Sequence, residues 1–177
     1  MSNSLQAFSN DEDENSSNNA LQNEYLTFHL GAEVFAIPIK NVKEIIENSN
    51  CTPVPSVPSF FRGILDLRGR AIPVIDLNVR FTGKPIEVSK RTCIIIIEQE
   101  MKGDTIEMGL MIDAVKEVVE LPHDSIEAVP SFGNRINTGF MEGIARINNK
   151  FVVILDLANV LPSEEIKEIT IIKNNES

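Results

Sequence analysis

Basic side chains, histidine and cysteine are scarce in this 177-residue chain, and each shortage excludes a class of function. Lys and Arg number 16 against 26 Asp and Glu, a formal net charge of −10. No basic footprint is left for nucleic acid or for an anionic membrane face. Two cysteines, Cys51 and Cys93, are too few for a disulfide framework and are expected as reduced thiols. The two histidines, His29 and His123, are far apart and stand in no metal-ligand spacing, so no metal and no other cofactor is expected. Apolar runs are short: "CIIII" and "FVVIL" fall far below the roughly 18 residues of a membrane span. The opening "MSNSLQAFSN" has no charged n-region followed by an apolar core, so it does not read as a secretory signal. Nucleophile elbow, P-loop and dinucleotide fingerprint are all missing. The expectation is a soluble, cytoplasmic chain that is not an enzyme, with the N-x-S/T sequons at Asn15 and Asn50 being chance matches.

What the chain has is a repeat. "GILDLRGRAIPVIDL" at 63–77 is answered by "GIARINNKFVVILDL" at 143–157, "VKEIIE" at 42–47 by "VKEVVE" at 115–120, and "VPSF" at 57–60 by "VPSF" at 129–132. Three echoes in one order imply a duplication. Residues 1–24 carry Asp11, Glu12, Asp13, Glu14 and Glu24 with no Lys or Arg, and are poor in apolar side chains. Such a segment buries too little surface to offset its ordering entropy and is expected to be disordered. From Tyr25, two alternating runs around "LGAE" predict a β-hairpin, and "IKNVKEIIEN" a helical turn leading into a strand. "TPVPSVPSF" is a proline-bound connector, followed by a hairpin turning at Arg68-Gly69-Arg70. The second half predicts the same series, with turns at Gly103-Asp104 and Asn148-Asn149. Many short strands with turn signals point to barrels or sandwiches. "LANVLPSEEIKEI" suits a short C-terminal helix capped by Ser163.

The duplication places Asp76 and Asp156 at equivalent strand ends, which raises a shared-proton carboxylate dyad. Their neighbours, Asp-Leu-Asn and Asp-Leu-Ala, lack the small hydroxyl residue and glycine of such dyads, so both are expected to cap the following turn. Cys93 opens an apolar strand and reads as a buried or interface thiol rather than a nucleophile. Arg62, Arg68 and Arg70 cluster in the first copy only. Arginines beside tight strands keep edges soluble, but arginine is also the residue of bidentate recognition and of interfaces. Glu44, in the other repeated element, can orient Arg68 if the two elements pack together, beside apolar Val42, Ile45 and Ile46.

The order "YLTFHLGAEVFAIPIKNVKEII" and "VPSVPSFFRGILDLRGRAIPVIDL", with "VKEVVELPHDSIEAVPSF" and "GIARINNKFVVILDL" in the second half, closely resembles the CheW family of bacterial chemotaxis coupling proteins. The resemblance implies an all-β fold of two similar SH3-like five-stranded β-barrels, with short helices at connectors and C-terminus. It places a CheW-like domain at 25–160, in lobes of roughly 25–90 and 91–160 with strand exchange left open, then a short helix and tail at 161–177. It implies a non-catalytic adaptor binding the regulatory domain of a CheA-type histidine kinase and the cytoplasmic tips of methyl-accepting chemoreceptors. Such an adaptor is expected to be a monomer in solution, recruited without membrane insertion to membrane-associated arrays. A CheW-like adaptor of surface motility or type IV pilus signalling is the alternative, and the length suits a stand-alone adaptor better than a receiver fusion or a kinase domain. Positions matching Val42, Glu44 and Arg68 affect receptor coupling in the family. Those matching Cys93 and Ile94 lie toward the receptor-binding groove, and Ile46, Arg62 and Asp66 complete the expected interface. Asp66 departs from the family's usual Asn and is expected to compete with Glu44 for Arg68; Asn78 replaces a common Arg.

Overall fold

The structure is a computed structural model, and it describes residues 23–47, 51–101, 103–129 and 139–160. The predicted N-terminal disorder, the second "VPSF" after Val129 and the Ser163-capped helix lie outside them.

The first half forms a hairpin of β1 (Glu24–Leu30) and β2 (Glu33–Pro38), a single 3-10 turn at Ile39–Asn41, then β3 (Val42–Glu47). After the proline connector come β4 (Phe61–Leu67), β5 (Arg70–Asp76) and a short helix α1 (Leu77–Thr82). The second half repeats the series: β6 (Cys93–Met101), β7 (Asp104–Ile112), β8 (Ala114–Glu120), the brief β9 (Ile126–Glu127), β10 (Met141–Ile147), β11 (Lys150–Leu155) and α2 (Leu157–Val160).

These strands form two sheets, the two SH3-like barrels, in the orders β8-β1-β2-β11-β10-β9 and β3-β6-β7-β5-β4. Neither sheet is a contiguous lobe. Each takes its first hairpin from one half of the chain and its remaining strands from the other, so a boundary between 90 and 91 runs through both barrels and does not separate one from the other. The exchange follows the repeat position by position. β2 runs parallel to β11 through Ala36↔Ile154, as β7 runs parallel to β5 through the equivalent pair Gly109↔Val74. One sheet has six strands rather than five because β9 pairs with β10; its counterpart in the first half is a lone bridge between Thr52 and Ile64 of β4.

The irregularities repeat too. Bulges leave Lys43 as the extra residue in β3 and Lys116 in β8, then Arg62 in β4 and Glu142 in β10. β3 and β8 end their sheets, and a bulge carrying a lysine there is a common defence against pairing with another chain. Gly63 follows the bulge in β4 with φ of 145°, and Thr52 crosses directly above its α-carbon. That crossing, repeated at Gly143 under Ile126, is why both copies begin Gly-Ile.

Ile94, Ile95, Ile96 and Ile97 are almost wholly buried because β6 is covered on both faces, by its own barrel interior and by the other barrel. A continuous apolar run fits that position better than alternation. Each such side chain stabilises the fold by about 2–3 kcal/mol. The main core contains residues of both barrels, including Phe28, Ile37, Ile75, Leu110 and Leu155. A row of stacked rings, Phe28–Phe35–Phe81–Phe140, runs along it with centroid spacings of 6.1, 5.5 and 4.6 Å. Arg80 in α1 donates from Nε to the carbonyl of Val160 at 2.8 Å, tying together the two short helices.

Candidate functional site

The β4–β5 and β10–β11 hairpins close through two-residue turns in which both residues have positive φ: Arg68 at 54° and Gly69 at 85°, Asn148 at 51° and Asn149 at 64°. This is the turn whose twist suits a tight hairpin. Asparagine tolerates the left-handed region, whereas arginine adopts it at a cost of about 1–2 kcal/mol. The strain at Arg68 is a departure within the repeat that the sequence did not disclose, since glycine is the residue of this turn that takes a positive φ without cost.

From that turn the Arg68 guanidinium reaches across to β3. Nη1 donates to Glu44 Oε2 at 3.1 Å and Nη2 to Oε1 at 3.4 Å, a two-pronged pair. The Arg68 side chain remains 69% exposed and that of Glu44 28%. The pairing of these two elements is the arrangement the sequence reading required. Asp66 does not compete for the arginine. Its Oδ1 accepts from the Gly69 backbone at 2.9 Å, a role that an asparagine oxygen fills equally well.

Arg70 belongs to a neighbouring network. Its Nη1 contacts both Glu107 oxygens, at 2.6 and 2.7 Å, and Lys43 links Glu107 at 3.7 Å to Glu98 at 2.9 Å. The hydrogen bond to Glu98 is the main reason the Lys43 pKa is raised. Around these charges Val42 and Ile46 are half-buried against the core, and Ile45 between them is 42% exposed. A cleft of about 510 Å³ begins beside Val42 at Asn41, with Lys40, Glu98, Glu100, Glu142 and Asp156 on its walls.

Cys93 stands opposite Glu47 at the far end of the β3–β6 ladder, half-buried, with burial pushing its thiol pKa up. Cys51 is raised for the same first reason, and neither cysteine forms a disulfide among the described residues. Ile94, expected to face a partner, is fully buried in the core, and so it offers no contact surface. Arg62 is also separated from the turn. It lies six residues from Arg68 along β4, on the order of 20 Å, with Nη1 3.8 Å from Asp76. The structure thus joins Val42, Glu44, Ile46, Asp66 and Arg68 in one surface, puts Cys93 at its edge, and leaves Arg62 and Ile94 outside it.

Asp76 and Asp156 are caps in different sheets. Fully buried Asp76 accepts from the backbone of Asn78 at 2.9 Å, Val79 at 3.2 Å and Ile86 at 3.0 Å. Asp156 accepts from the Ala158 backbone at 3.1 Å and the Asn159 side chain at 2.7 Å. Their oxygens organise chain rather than a substrate. Among the described residues no group of His, Cys, Asp and Glu is arranged to hold a metal.

Two exchanged β-barrels with a strained arginine turn and ionic clusters at their surface define the class: an all-β, two-barrel protein with no metal-holding group assembled among its described residues. The comparisons with known proteins give that class a family. The model of the CheW-like domain matches residues 24–165. Chemotaxis protein CheW of Klebsiella aerogenes is 29% identical over 143 residues, covering 81% of this chain and 84% of that protein. Chemotaxis protein CheW of Helicobacter pylori is 30% identical over 141 residues, covering 80% and 82%. The crystal structure of the scaffolding protein TtCheW from Thermoanaerobacter tengcongensis superposes with a TM-score of 0.71 at 35% identity, over 81% of this chain and 90% of that one. The chain belongs to the CheW family, whose members are non-catalytic scaffolds.

Proposed function

We propose that this chain is a chemotaxis coupling adaptor that joins the cytoplasmic tips of chemoreceptors to the regulatory domain of a CheA-type histidine kinase. It acts in the cytoplasm, at arrays beside the membrane, and lets receptor state set kinase activity. The surface formed by Val42, Glu44, Ile46 and Arg68 is its coupling surface, with Asp66 holding the turn and Cys93 at the margin. Arg68 is the observation that carries the reading: a non-glycine residue kept in a left-handed turn, forked onto Glu44 and still largely exposed. Backbone strain persists where something other than stability maintains it. An exposed ion pair contributes only about 0.2–1 kcal/mol, so folding alone gives little reason to keep an arginine there. Ile45 and the partly covered Val42 and Ile46 supply apolar contact around the charged centre.

The test is a reconstituted mixture of receptor fragment, kinase and this protein. Arg68→Ala and Arg68→Asn are expected to fold normally and to weaken receptor control of the kinase, by about 5-fold or more in half-maximal adaptor concentration for a hot spot of about 1–4 kcal/mol. Unchanged control with either folded variant would remove Arg68 from the coupling surface.

A further inference from the structure

We propose that the acidic run Asp11, Glu12, Asp13 and Glu14 docks on the cationic loop of residues 83–92, within the same molecule. The loop joins α1 to β6 and is held in place at several points. The Ile86 backbone donates to buried Asp76 at 3.0 Å, and Ile86 itself is buried. Asn78 donates to the Lys84 carbonyl at 3.0 Å, and Ser89 donates to the Thr92 hydroxyl at 2.9 Å. The Ser89 hydroxyl accepts from Arg91 at 3.1 Å. Between these ties Val88 stands 53% exposed, and Lys84, Lys90 and Arg91 point to solvent with no carboxylate partner among the described residues. Glu87 is the loop's only acid. A preformed cationic surface around an exposed apolar side chain binds an acidic segment without a further ordering cost of its own.

The chain supplies that segment. Asn23 is fixed by its carbonyl, which accepts from Leu121 at 2.7 Å, and Glu24 pairs with Glu120. From there β8 leads back to Val115, whose backbone bonds Cys93. The span from Asn23 to the loop's end is therefore about five strand residues, roughly 17 Å. The nine Cα-to-Cα steps from Glu14 to Asn23 reach up to about 30 Å. The run is thus tethered within range of Lys90 and Arg91. A tethered ligand acts at an effective concentration near the millimolar range, so contacts too weak to hold a free partner suffice. Opposite charge in a chain of net −10 selects this loop over the acidic cleft. Docking shields the loop from other acidic surfaces. The loop lies at the end of β4 and β5 away from the Arg68 turn and leads directly into Cys93 at the margin of the coupling surface, but its docking does not rest on the coupling reading.

Amide NMR on the full chain tests the contact, comparing the natural sequence with the variant Asp11→Asn, Glu12→Gln, Asp13→Asn, Glu14→Gln. At low salt, amide shifts of residues 84–91 are expected to differ between the two. The differences should vanish near 0.5 M salt, where the screening length is about 4 Å, and should be absent when both chains carry Lys90→Glu and Arg91→Glu. They should be independent of protein concentration. No difference at the loop, differences centred instead on Arg146 and Phe151, or differences that grow with concentration would each overturn the proposal.

Discussion

Replacing Gly63 by alanine should be among the costliest single-methyl changes available in this protein. The residue sits at φ of 145°, outside the range that L side chains adopt comfortably. An added Cβ would collide with the Thr52 carbonyl oxygen and come within 2.9 Å of its carbon and 3.1 Å of the Cys51 Cβ. These are backbone atoms and a pinned side chain, so the connector must lift. Lifting it breaks the two hydrogen bonds between Thr52 and Ile64, at 2.8 and 2.9 Å. Strain of about 1–3 kcal/mol and two bonds of about 1 kcal/mol each give a loss of roughly 3–5 kcal/mol. With a urea slope of about 2 kcal/mol/M, the midpoint falls by roughly 1.5–2.5 M. Gly69→Ala is the control, because it also has positive φ but nothing lies within 4 Å of its added carbon. It should lose only about 1–2 kcal/mol. Gly143→Ala, where the first atom met is the side-chain methyl of Ile126 at 2.7 Å, should also cost less than Gly63→Ala. If equilibrium unfolding shows Gly63→Ala no worse than Gly69→Ala, the crossing of Thr52 over β4 does not explain the glycine.

Asp76→Ala leaves three backbone donors without their acceptor in a buried setting and should cost about 3–5 kcal/mol, whereas Asp156→Ala, an ordinary cap, should cost about 1 kcal/mol; thermal unfolding of both separates them. Arg80→Ala should lower the melting temperature by at least a few degrees, since among its contacts it removes the hydrogen bond to Val160, about 1 kcal/mol, and the stacking of the guanidinium 5.5 Å from the Phe60 ring. Alkaline pH should destabilise the fold. Burial raises the pKa of Cys51, Cys93 and Tyr25 above their ordinary values of 9.0 and 10.0. Such groups hold their protons more tightly when folded, so their contribution is intact below the ordinary value and is lost as pH rises through the raised one. Urea midpoints should therefore be level from pH 7 to 8.5 and fall toward pH 10.5, and a rise over that interval would contradict the burial of these groups.

Strand content and order were legible in the sequence because alternation, glycine turns and the repeat all agreed. The hairpin ending at Asn148-Asn149 and the 3-10 turn before Val42 fell where the residues indicated. Strand exchange was not legible. An apolar strand carries no mark of which hairpin it will pair with, and "VKEIIE" suits either neighbour. The site was legible in part. Glu44 and Arg68 were paired on the page by repeat position and charge, but Ile94 was misplaced on the surface. The run "CIIII" shows only that β6 is apolar; it takes the second barrel, packed over the strand, to bury both of its faces. Arg62 was grouped with Arg68 by sequence distance, whereas an extended strand carries six residues to its opposite end.

The exchanged hairpins make the molecule a covalent dimer of half-chains. Each half contributes to both barrels, so one barrel cannot unfold while the other stays intact, and the two should melt as one unit. A break in the loop between the halves would leave both barrels assembled, held by the ladders β1–β8, β2–β11, β3–β6 and β5–β7. A half-chain alone would have to pair with a second copy, each giving its first hairpin to the other. Joined in one chain, the two copies each carry their own turn, arginine-glycine in one and asparagine-asparagine in the other.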